Sequence, residues 1–414
     1  MAPGVPFILG WQDKDLAINA AENGWITTDQ TLNSPYIMNS QESYNFRSSI
    51  EPISGMRIDI TANRTISNNV TEFYLADSLG TFSANSRKES GNFTMTVGTW
   101  GTAFEKLGDD YSSGAFNSFK DNRITIAKRL AGDRLGVDGY TGTIQDDGFP
   151  LGYGPTSQEV LIPAFLSAYE NISPSLISLE TFPSALSMKP NWRLTWDGLS
   201  KIEWIKKYFN TISVGHTYRS TFSIGQYNTN LEYLENAEGF SVVQDILNNW
   251  RPEHEVNSVS INEQFSPLIN VDMTWNNSLT TKIELKKSRN LTLSFSNQQL
   301  TEVRSQEYVI GAGYRISDLE IIVGSKKFKS DLTLRLDLSL RENWTILRQI
   351  NEDLTTVSSG SRIISIKSNA DYVLSDRFNL RFFIDFSSDK PFVSLSFPRS
   401  TTSIGFSVRF QLAG

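Results

Sequence analysis

The sequence contains no cysteine and only two histidines, His216 and His254, among its 414 residues. The absence of cysteine excludes a disulfide framework, a thiolate metal site and a cysteine nucleophile. Two histidines leave little material for imidazole catalysis or a histidine-rich metal site. Acidic residues outnumber basic ones by 45 to 38, and the net charge of −7 argues against bulk attraction to nucleic acid. With no zinc-protease, nucleophile-elbow or P-loop motif present either, we expect no catalytic, metal or cofactor site.

The sequence also lacks any run of 18 apolar residues, which predicts that no helix spans a membrane. Its opening, Met1-Ala2-Pro3-Gly4-Val5-Pro6, has neither the basic nor the apolar region of a signal peptide. What is present is a 12% share of aromatic residues in a chain that is only 39% hydrophobic. A polar chain with many aromatic residues is typical of strands whose side chains alternate between apolar and polar.

Three C-terminal segments alternate with a period of two residues, which places apolar and polar side chains on opposite faces of a strand. The apolar positions are Leu332, Leu334, Leu336, Leu338, Leu340, Phe378, Leu380, Phe382, Ile384, Phe386, Ile404, Phe406, Val408 and Phe410. The charged positions between them are Asp331, Arg335, Asp337, Arg341, Arg377, Arg381, Asp385 and Arg409. Earlier segments follow the same period less strictly, and we count about fourteen strand candidates in all. The sequence therefore predicts an all-β, antiparallel fold.

Two stretches interrupt the alternation. The first, 101–189, predicts two short helices around 116–130 and 159–169, with Ser157 as a possible N-cap of the second and Pro163 limiting its length. The second, 234–256, predicts a long polar loop with one helical turn near 242–247. We therefore divide the chain into strands at 1–100, a loop and short-helix insertion at 101–190, and strands at 191–414.

Alternation alone does not say whether the apolar face is buried in a soluble sandwich or turned outward to lipid in a barrel. Three features favour the barrel. The segments run about 9–13 residues, longer than typical soluble strands. Long connections at 298–305, 324–330 and 352–362 alternate with short ones at 317–318, 342–343 and 375–376. The polar positions carry charges of both signs, which suits a water-filled lumen. The apolar set above is then predicted to face lipid, and the charged set to face the lumen.

A sheet in hydrocarbon must close on itself, because each unpaired backbone group at an open edge costs several kcal/mol. The chain nevertheless opens without a signal sequence and within the strand pattern. We therefore expect it to be the C-terminal portion of a much larger outer-membrane barrel.

Specific phrases in the sequence resemble the SprA/Sov family, and they occur in the family's order along the whole chain. They are Trp11-Gln12-Asp13, Asn23-Gly24-Trp25-Ile26-Thr27, Leu32-Asn33-Ser34-Pro35, Ile50-Glu51-Pro52, Asp59-Ile60-Thr61-Ala62-Asn63-Arg64, Ser157-Gln158-Glu159-Val160-Leu161-Ile162-Pro163-Ala164-Phe165, Pro190-Asn191-Trp192-Arg193-Leu194-Thr195-Trp196-Asp197-Gly198-Leu199, Tyr218-Arg219-Ser220-Thr221, Glu263-Gln264-Phe265-Ser266-Pro267-Leu268-Ile269, Lys286-Lys287-Ser288-Arg289-Asn290-Leu291 and Tyr308-Val309-Ile310-Gly311.

The resemblance implies the outer-membrane translocon of the type IX secretion system of Bacteroidetes, a non-enzymatic channel that also supports gliding motility. It implies export of folded cargo carrying a type IX C-terminal signal domain. It further implies a periplasmic plug protein and a PorV-type outer-membrane protein as partners. Family members are far longer than 414 residues, so the resemblance covers only the C-terminal part of the barrel.

Two other classes of protein share the alternation. One is a different outer-membrane barrel, such as a porin or a TonB-dependent receptor; the other is a secreted β-rich adhesin. Within the leading interpretation, the 101–190 insertion is expected to form an extracellular cap or gate, since nothing in its pattern spans lipid. The segment 199–209 is either an amphipathic surface helix or a short link between strands.

Overall fold

The structure, a computed structural model, describes residues 16–29, 34–77, 80–137, 139–323, 326–352, 354–375, 378–393 and 396–410, together with Val5 and Ile8. Trp11-Gln12-Asp13, Leu32-Asn33 and the predicted lumen residue Arg377 lie outside these ranges. Among the described helices, none has the length and apolar character needed to cross a bilayer.

The described residues form thirteen strands and a few helices. The strands are β1 (Tyr36–Ile53), β2 (Met56–Ala76), β3 (Phe82–Thr96), β4 (Asn191–Trp196), β5 (Phe209–Thr229), β6 (His254–Val256), β7 (Ser258–Trp275), β8 (Leu279–Ser294), β9 (Gln299–Val323), β10 (Lys326–Gln349), β11 (Thr355–Ser375), β12 (Phe378–Pro391) and β13 (Arg399–Phe410). The α-helices are α1 (Leu16–Glu22), α2 (Gly114–Leu135), α3 (Gln158–Glu170) and α4 (Glu203–Lys206), and 3₁₀ turns lie at Ala185–Ser187 and Gly198–Lys201.

All strands belong to one antiparallel sheet in the order β1-β2-β3-β5-β7-β8-β9-β10-β11-β12-β13. The short strand β4 pairs with β2 and β5, the same two neighbours as β3, and β6 pairs with β5. The predicted fold class, an antiparallel all-β sheet with a long insertion, is confirmed. Sequential strands pair because short turns join most of them.

The strands are much longer than the sequence predicts. The predicted short turns at 317–318 and 342–343 are wrong, since they lie inside β9 and β10, which run 25 and 24 residues. The predicted long connections also shrink, because β9, β10 and β11 begin at Gln299, Lys326 and Thr355. Polar residues remain in the strands because cross-strand pairs satisfy them, as Arg362 does for Glu342. Only the break after Ser375 falls where it is predicted, and position 376 lies outside the described residues.

The pairing register gives the sheet one apolar and one polar face. Across β8 to β12, Ile283, Ile310, Leu338, Ile366 and Phe386 stand side by side in one row. The row that lies one residue further along each strand contains polar side chains, which point to the opposite side of the sheet. We call these the apolar face and the polar face.

The insertion, predicted at 101–190, extends over 97–190 in the structure, between the end of β3 and the start of β4. It interrupts one strand position, since β3 and β4 lie between the same two neighbours. The interruption is closed by a hydrogen bond from Lys189 N to Thr96 O, 3.0 Å. The insertion then packs on the apolar face, where Phe119 and Phe165 are buried with Phe93, Phe222 and other sheet residues in one hydrophobic core. The insertion covers the half of the apolar face that is distant from the turns after β1, β7 and β9. We call this half the insertion end.

The two predicted helices of the insertion are confirmed as α2 and α3. Ser113 caps α2 by accepting a hydrogen bond from Phe116 N at 3.3 Å, and Gly136 ends it with φ +65°. Ser157 occupies the N-cap position of α3 but makes no capping bond with its side chain. Pro163 does not shorten α3, which continues to Glu170.

Two other local expectations are resolved by the structure. The helical turn predicted at 242–247 is wrong, because this stretch forms a turn closed by the bridge between Gln244 and Trp250. The segment 199–209 is a short link from β4 to β5, containing a 3₁₀ turn and the four-residue helix α4.

Candidate functional site

The apolar face carries a continuous exposed strip between the insertion and the hairpin turns, which we call the apolar belt. Its members on β9 to β13 include Ile310, Leu336, Leu338, Ile384 and Phe406, and their exposed fractions run from 39% for Ile384 to 63% for Phe406. Side chains on the opposite face of β10 in this region, such as Arg335 and Asp337, are exposed as well. Within the described ranges the sheet is therefore a single layer here, with no second sheet covering the belt.

All fourteen predicted lipid-facing residues lie on this one face. The register places Leu334 beside Ala370, Ala370 beside Phe382 and Phe382 beside Phe406, and the other members follow in parallel rows. Contact of these side chains with lipid stays a prediction.

A row of charged side chains borders the apolar belt at the insertion end. Two residues after Leu340, Glu342 stands opposite Arg362 of β11 in the pairing register. Arg362 in turn stands opposite Lys390 of β12. Trp344, the next residue of β10 on the apolar face, stacks on Phe392 with ring centroids 4.0 Å apart. From Leu332 to Leu340 the belt is nine residues tall, about 30 Å at the rise of a β-strand. This height and this border resemble the apolar band and aromatic girdle of outer-membrane strands.

The polar face carries charges of alternating sign along its rows. Asp272, Lys282, Gly311, Asp337 and Lys367 succeed one another across five strands. Asp385 continues this row beside Lys367. Such a face is well solvated, and charges of opposite sign stand directly beside one another.

The predicted lumen residues in the described part of the chain lie on the polar face and form ion pairs there in several cases. Arg341 Nη2 lies 2.9 Å from Glu307 Oε1, Arg381 pairs with Asp371, and Asp331 pairs with Arg315. The others are Arg335, Asp337, Asp385 and Arg409. Their contact with an aqueous lumen stays a prediction.

A buried ionic cluster joins the insertion to the sheet. Glu302 on β9 accepts hydrogen bonds from Arg304 Nε at 2.5 Å and from Arg348 Nη2 on β10 at 3.0 Å. Glu263 on β7 pairs with Arg289 on β8 at 2.9 Å. The side chains of Glu302 and Arg348 are fully buried. Burying charges is tolerated only where each is paired and hydrogen-bonded, so this cluster needs all of its members.

The three arginines of this cluster also bind the backbone of the insertion. Arg289 Nη1 donates to Thr102 O at 3.1 Å, and Arg304 Nη1 donates to Glu105 O at the same distance. Arg348 Nη1 donates to Tyr111 O at 2.6 Å. Arginines on the neighbouring strands β8, β9 and β10 thus donate hydrogen bonds to backbone carbonyl groups of one segment, 102–111, near the start of the insertion. The cluster fixes where this segment lies, and the sequence alone predicts no role for any of its members.

His216 lies on the apolar face of β5. Its Nδ1 lies 2.6 Å from Leu268 O, and across the strand pair it faces Leu194. This contact gives the histidine a structural role. Within the part of the chain that the structure describes, no group of three or more histidine or carboxylate side chains could hold a metal ion.

Two buried carboxyl groups of the insertion have raised pKa values. Burial raises the pKa of Glu159 from 4.5 to about 7, against the attraction of Arg134. Burial also raises the pKa of Glu170 to about 7, although Gly98 N donates to its carboxylate at 3.4 Å and Lys189 lies near. Both groups therefore hold a proton in the folded state at pH values where the unfolded chain has released it.

We expect the folded insertion to lose stability as the pH rises from about 4.5 to about 7. In this window the folded state binds more protons than the unfolded one, and each pKa unit of such a shift is worth about 1.4 kcal/mol. The double variant E159Q/E170Q should remove most of this dependence. Thermal unfolding of the insertion at pH 5 and pH 8 measures it, with E180Q, at an exposed position, as the matched control. A pH dependence unchanged in the double variant would contradict the assignment.

No protein-family model matches this chain, and no curated protein matches it. Among solved structures the chain is similar to the trimer form of in-vitro folded OmpT, an outer membrane protein of Vibrio cholerae, with 7% identity and a TM-score of 0.21; the match covers 87% of this chain and 90% of that chain. A second structure of in-vitro folded OmpT from Vibrio cholerae matches with 7% identity and a TM-score of 0.19, covering 86% and 87% of the two chains. At these TM-scores the similarity carries no argument about function or about the arrangement of the strands.

Proposed function

We propose that this chain forms part of the wall of an outer-membrane β-barrel that conducts proteins. The apolar face contacts lipid and the polar face lines an aqueous lumen. One observation carries the proposal: a single-layer sheet of eleven strand positions exposes a nine-residue apolar belt on one face and charged rows on the other. Soluble monomers rarely expose a contiguous apolar surface of more than a few hundred Å², so a secreted adhesin fits this sheet poorly.

The width of the wall favours a large pore. Among the described residues, the outer strands β1 and β13 pair on one side only, with β2 and β12 respectively. Hydrocarbon does not tolerate open edges, so on this proposal both outer strands need partners in the membrane. Eleven positions together with such partners suit a pore wide enough for a folded protein. The resemblance to the SprA/Sov family supports the same class, with its cargo, its PorV-type partner and its plug protein. We propose no catalytic role.

We propose that the insertion lies on the outer surface of the barrel, beyond the hydrocarbon. Its loops need water for their backbone groups, and the charged row at Glu342 and Arg362 separates it from the belt. Since it lies on the apolar face, it leaves the polar face uncovered. A role in contacting a neighbouring membrane protein therefore fits the insertion better than a gate across the lumen does.

Single-cysteine scanning of β10 in the intact protein tests which face meets lipid. The 414 residues contain no cysteine, so one introduced thiol gives an unambiguous signal within this chain. In vesicles, thiols at Leu334, Leu336 and Leu338 should react with a water-soluble maleimide about tenfold more slowly than thiols at Arg335, Asp337 and Ser339, because a thiol in hydrocarbon stays protonated. Lys128→Cys on α2, an exposed position, serves as the fast-reacting control.

Equal labelling on both faces, or faster labelling at the leucine positions, would rule out this orientation. Passage of proteins needs a separate assay, in which the intact protein exports a folded cargo bearing a type IX signal domain. A barrel that passes only small solutes in that assay would favour the porin or receptor alternative.

A further inference from the structure

A recess of about 400 Å³ opens on the polar face between β4, β5 and β7. It arises where β7 carries two more residues than its neighbours. Ladder pairs stop at Phe265 and resume at Ile269 on β7, while only Lys286 intervenes on β8. Against β5, five β7 residues lie opposite three. Bulges of this kind bend a strand and re-aim its side chains, and they are common beside functional sites.

Aromatic side chains of the insertion cover the same bulge from the apolar face. Trp100 packs edge-on against Tyr218 at 5.5 Å, and Phe104 lies 5.1 Å from Phe265. The interruption of the ladder is thereby closed on the apolar side and open on the polar side. The backbone groups left unpaired by the bulge can therefore be reached from the polar face only.

The charged lining of the recess has a net charge of +1. The side chains of Arg193 and Arg219 line it and form no ion pair within 4 Å and no side-chain hydrogen bond with a residue that the structure describes, although Arg193 stands across the strands from Asp59. Asp272 is the third charged group of the lining, and its carboxylate accepts a hydrogen bond from the Asn270 amide. By contrast, Arg57 nearby is paired with Asp59 at 2.9 Å. Two guanidinium groups thus face a polar hollow without a direct ion pair, since the carboxylate across from Arg193 is already held by Arg57.

The remaining lining offers further donors and few competing anions. Ser266, Thr217 and Gln264 contribute hydroxyl and amide groups. A guanidinium binds a carboxylate through two parallel hydrogen bonds, and a planar, singly charged ligand matches an excess of one positive charge better than a doubly charged phosphate does.

We infer that this recess binds carboxylate groups of a polypeptide that moves along the polar face. The source of the ligand rests on the proposed function; the anion site rests on the arginines and the bulge. Brief capture of acidic side chains would hold a passing chain near this part of the wall, and exposure to water keeps each contact weak enough to release.

The test uses the intact protein in nanodiscs and two fluorescent probes, a hexaglutamate peptide and a hexaglutamine peptide. Hexaglutamate should bind, and R193Q/R219Q should raise its Kd about tenfold, because two exposed guanidinium–carboxylate contacts are lost. Arg409→Gln, on the polar face of the distant strand β13, is the matched control and should change the Kd less than about twofold. Hexaglutamine should bind no better to the wild type than to the double variant.

Equal binding of both peptides, equal loss in the control, or no loss in R193Q/R219Q would overturn the inference. The same nanodisc sample with a thiol at Asp337 reports whether the polar face is open to water. If that thiol reacts and hexaglutamate does not bind, only the carboxylate site fails. If the thiol is protected from water, the proposed function fails, whatever the peptides do.

Discussion

Glu302→Gln should destabilise the docked insertion by about 3–5 kcal/mol, the loss expected when one partner of a buried ion pair is removed. The carboxylate of Glu302 receives both Arg304 and Arg348, and the variant leaves two guanidinium charges beside an amide that carries no charge. Those same arginines hold Glu105 O and Tyr111 O of the insertion. The insertion should therefore detach from the sheet before the sheet itself unfolds.

Denaturant titration followed by limited proteolysis within 101–190 measures this effect. Glu342→Gln is the matched control, since it removes the same charge from a pair whose side chains are 51% and 30% exposed, where a loss below about 1 kcal/mol is expected. Similar losses in the two variants would mean that the cluster around Glu302 does not hold the insertion in place.

The division of the sheet into two faces could be predicted from sequence because backbone geometry forces it. Successive strand residues point to opposite sides, so Leu332 and Leu340 must share a face once they share a strand of unbroken alternation. No tertiary information enters that argument. It fails only where a bulge shifts the phase, as it does near Ser330 and between Phe265 and Ile269.

Strand ends could not be predicted in the same way, because the residues that make turns also occur in long polar-faced strands. Asp318 adopts a left-handed conformation with φ +57° and still lies inside β9. Its carboxylate is paired with Lys329 of the neighbouring strand at 3.6 Å, a partner that sequence reasoning does not supply. The same limitation placed a turn at 342–343.

The docking of the insertion left a signal in the sequence that becomes readable only with the structure. Arg348 stands in the apolar phase of β10, between Ile346 and Ile350, and Glu302 follows Leu300 in the same phase of β9. Charged residues at positions that point to the apolar face mark the part of this face that the protein itself covers. The partners, however, are up to 237 residues apart in the chain, and alternation holds no information about such distances. The recess beside Arg193 was missed for the same reason.

Leu336→Arg should cost about 2–4 kcal/mol in a membrane, the penalty for arginine at the midplane on the lipid face of a β-barrel. Leu336 is the central residue of the belt on β10, and its cross-strand neighbours Ala312 and Ser368 are small enough to admit the longer side chain. The expected loss therefore comes from desolvation of the charge. If the face met water, the same change would be worth about 0.5 kcal/mol or less.

Two further arginine substitutions on β10, one nearer the charged row and one on the opposite face, are the controls for Leu336→Arg. Leu340→Arg, next to the charged row at Glu342 and Arg362, should cost only about 0–1 kcal/mol, because the penalty falls toward the interface. Ser339→Arg lies on the polar face of the same strand and should be close to neutral. Urea unfolding of the intact protein in lipid vesicles ranks the three variants. A flat profile along Leu336 and Leu340, or a larger loss at Ser339, would place water on the apolar face and remove the physical basis of a membrane wall.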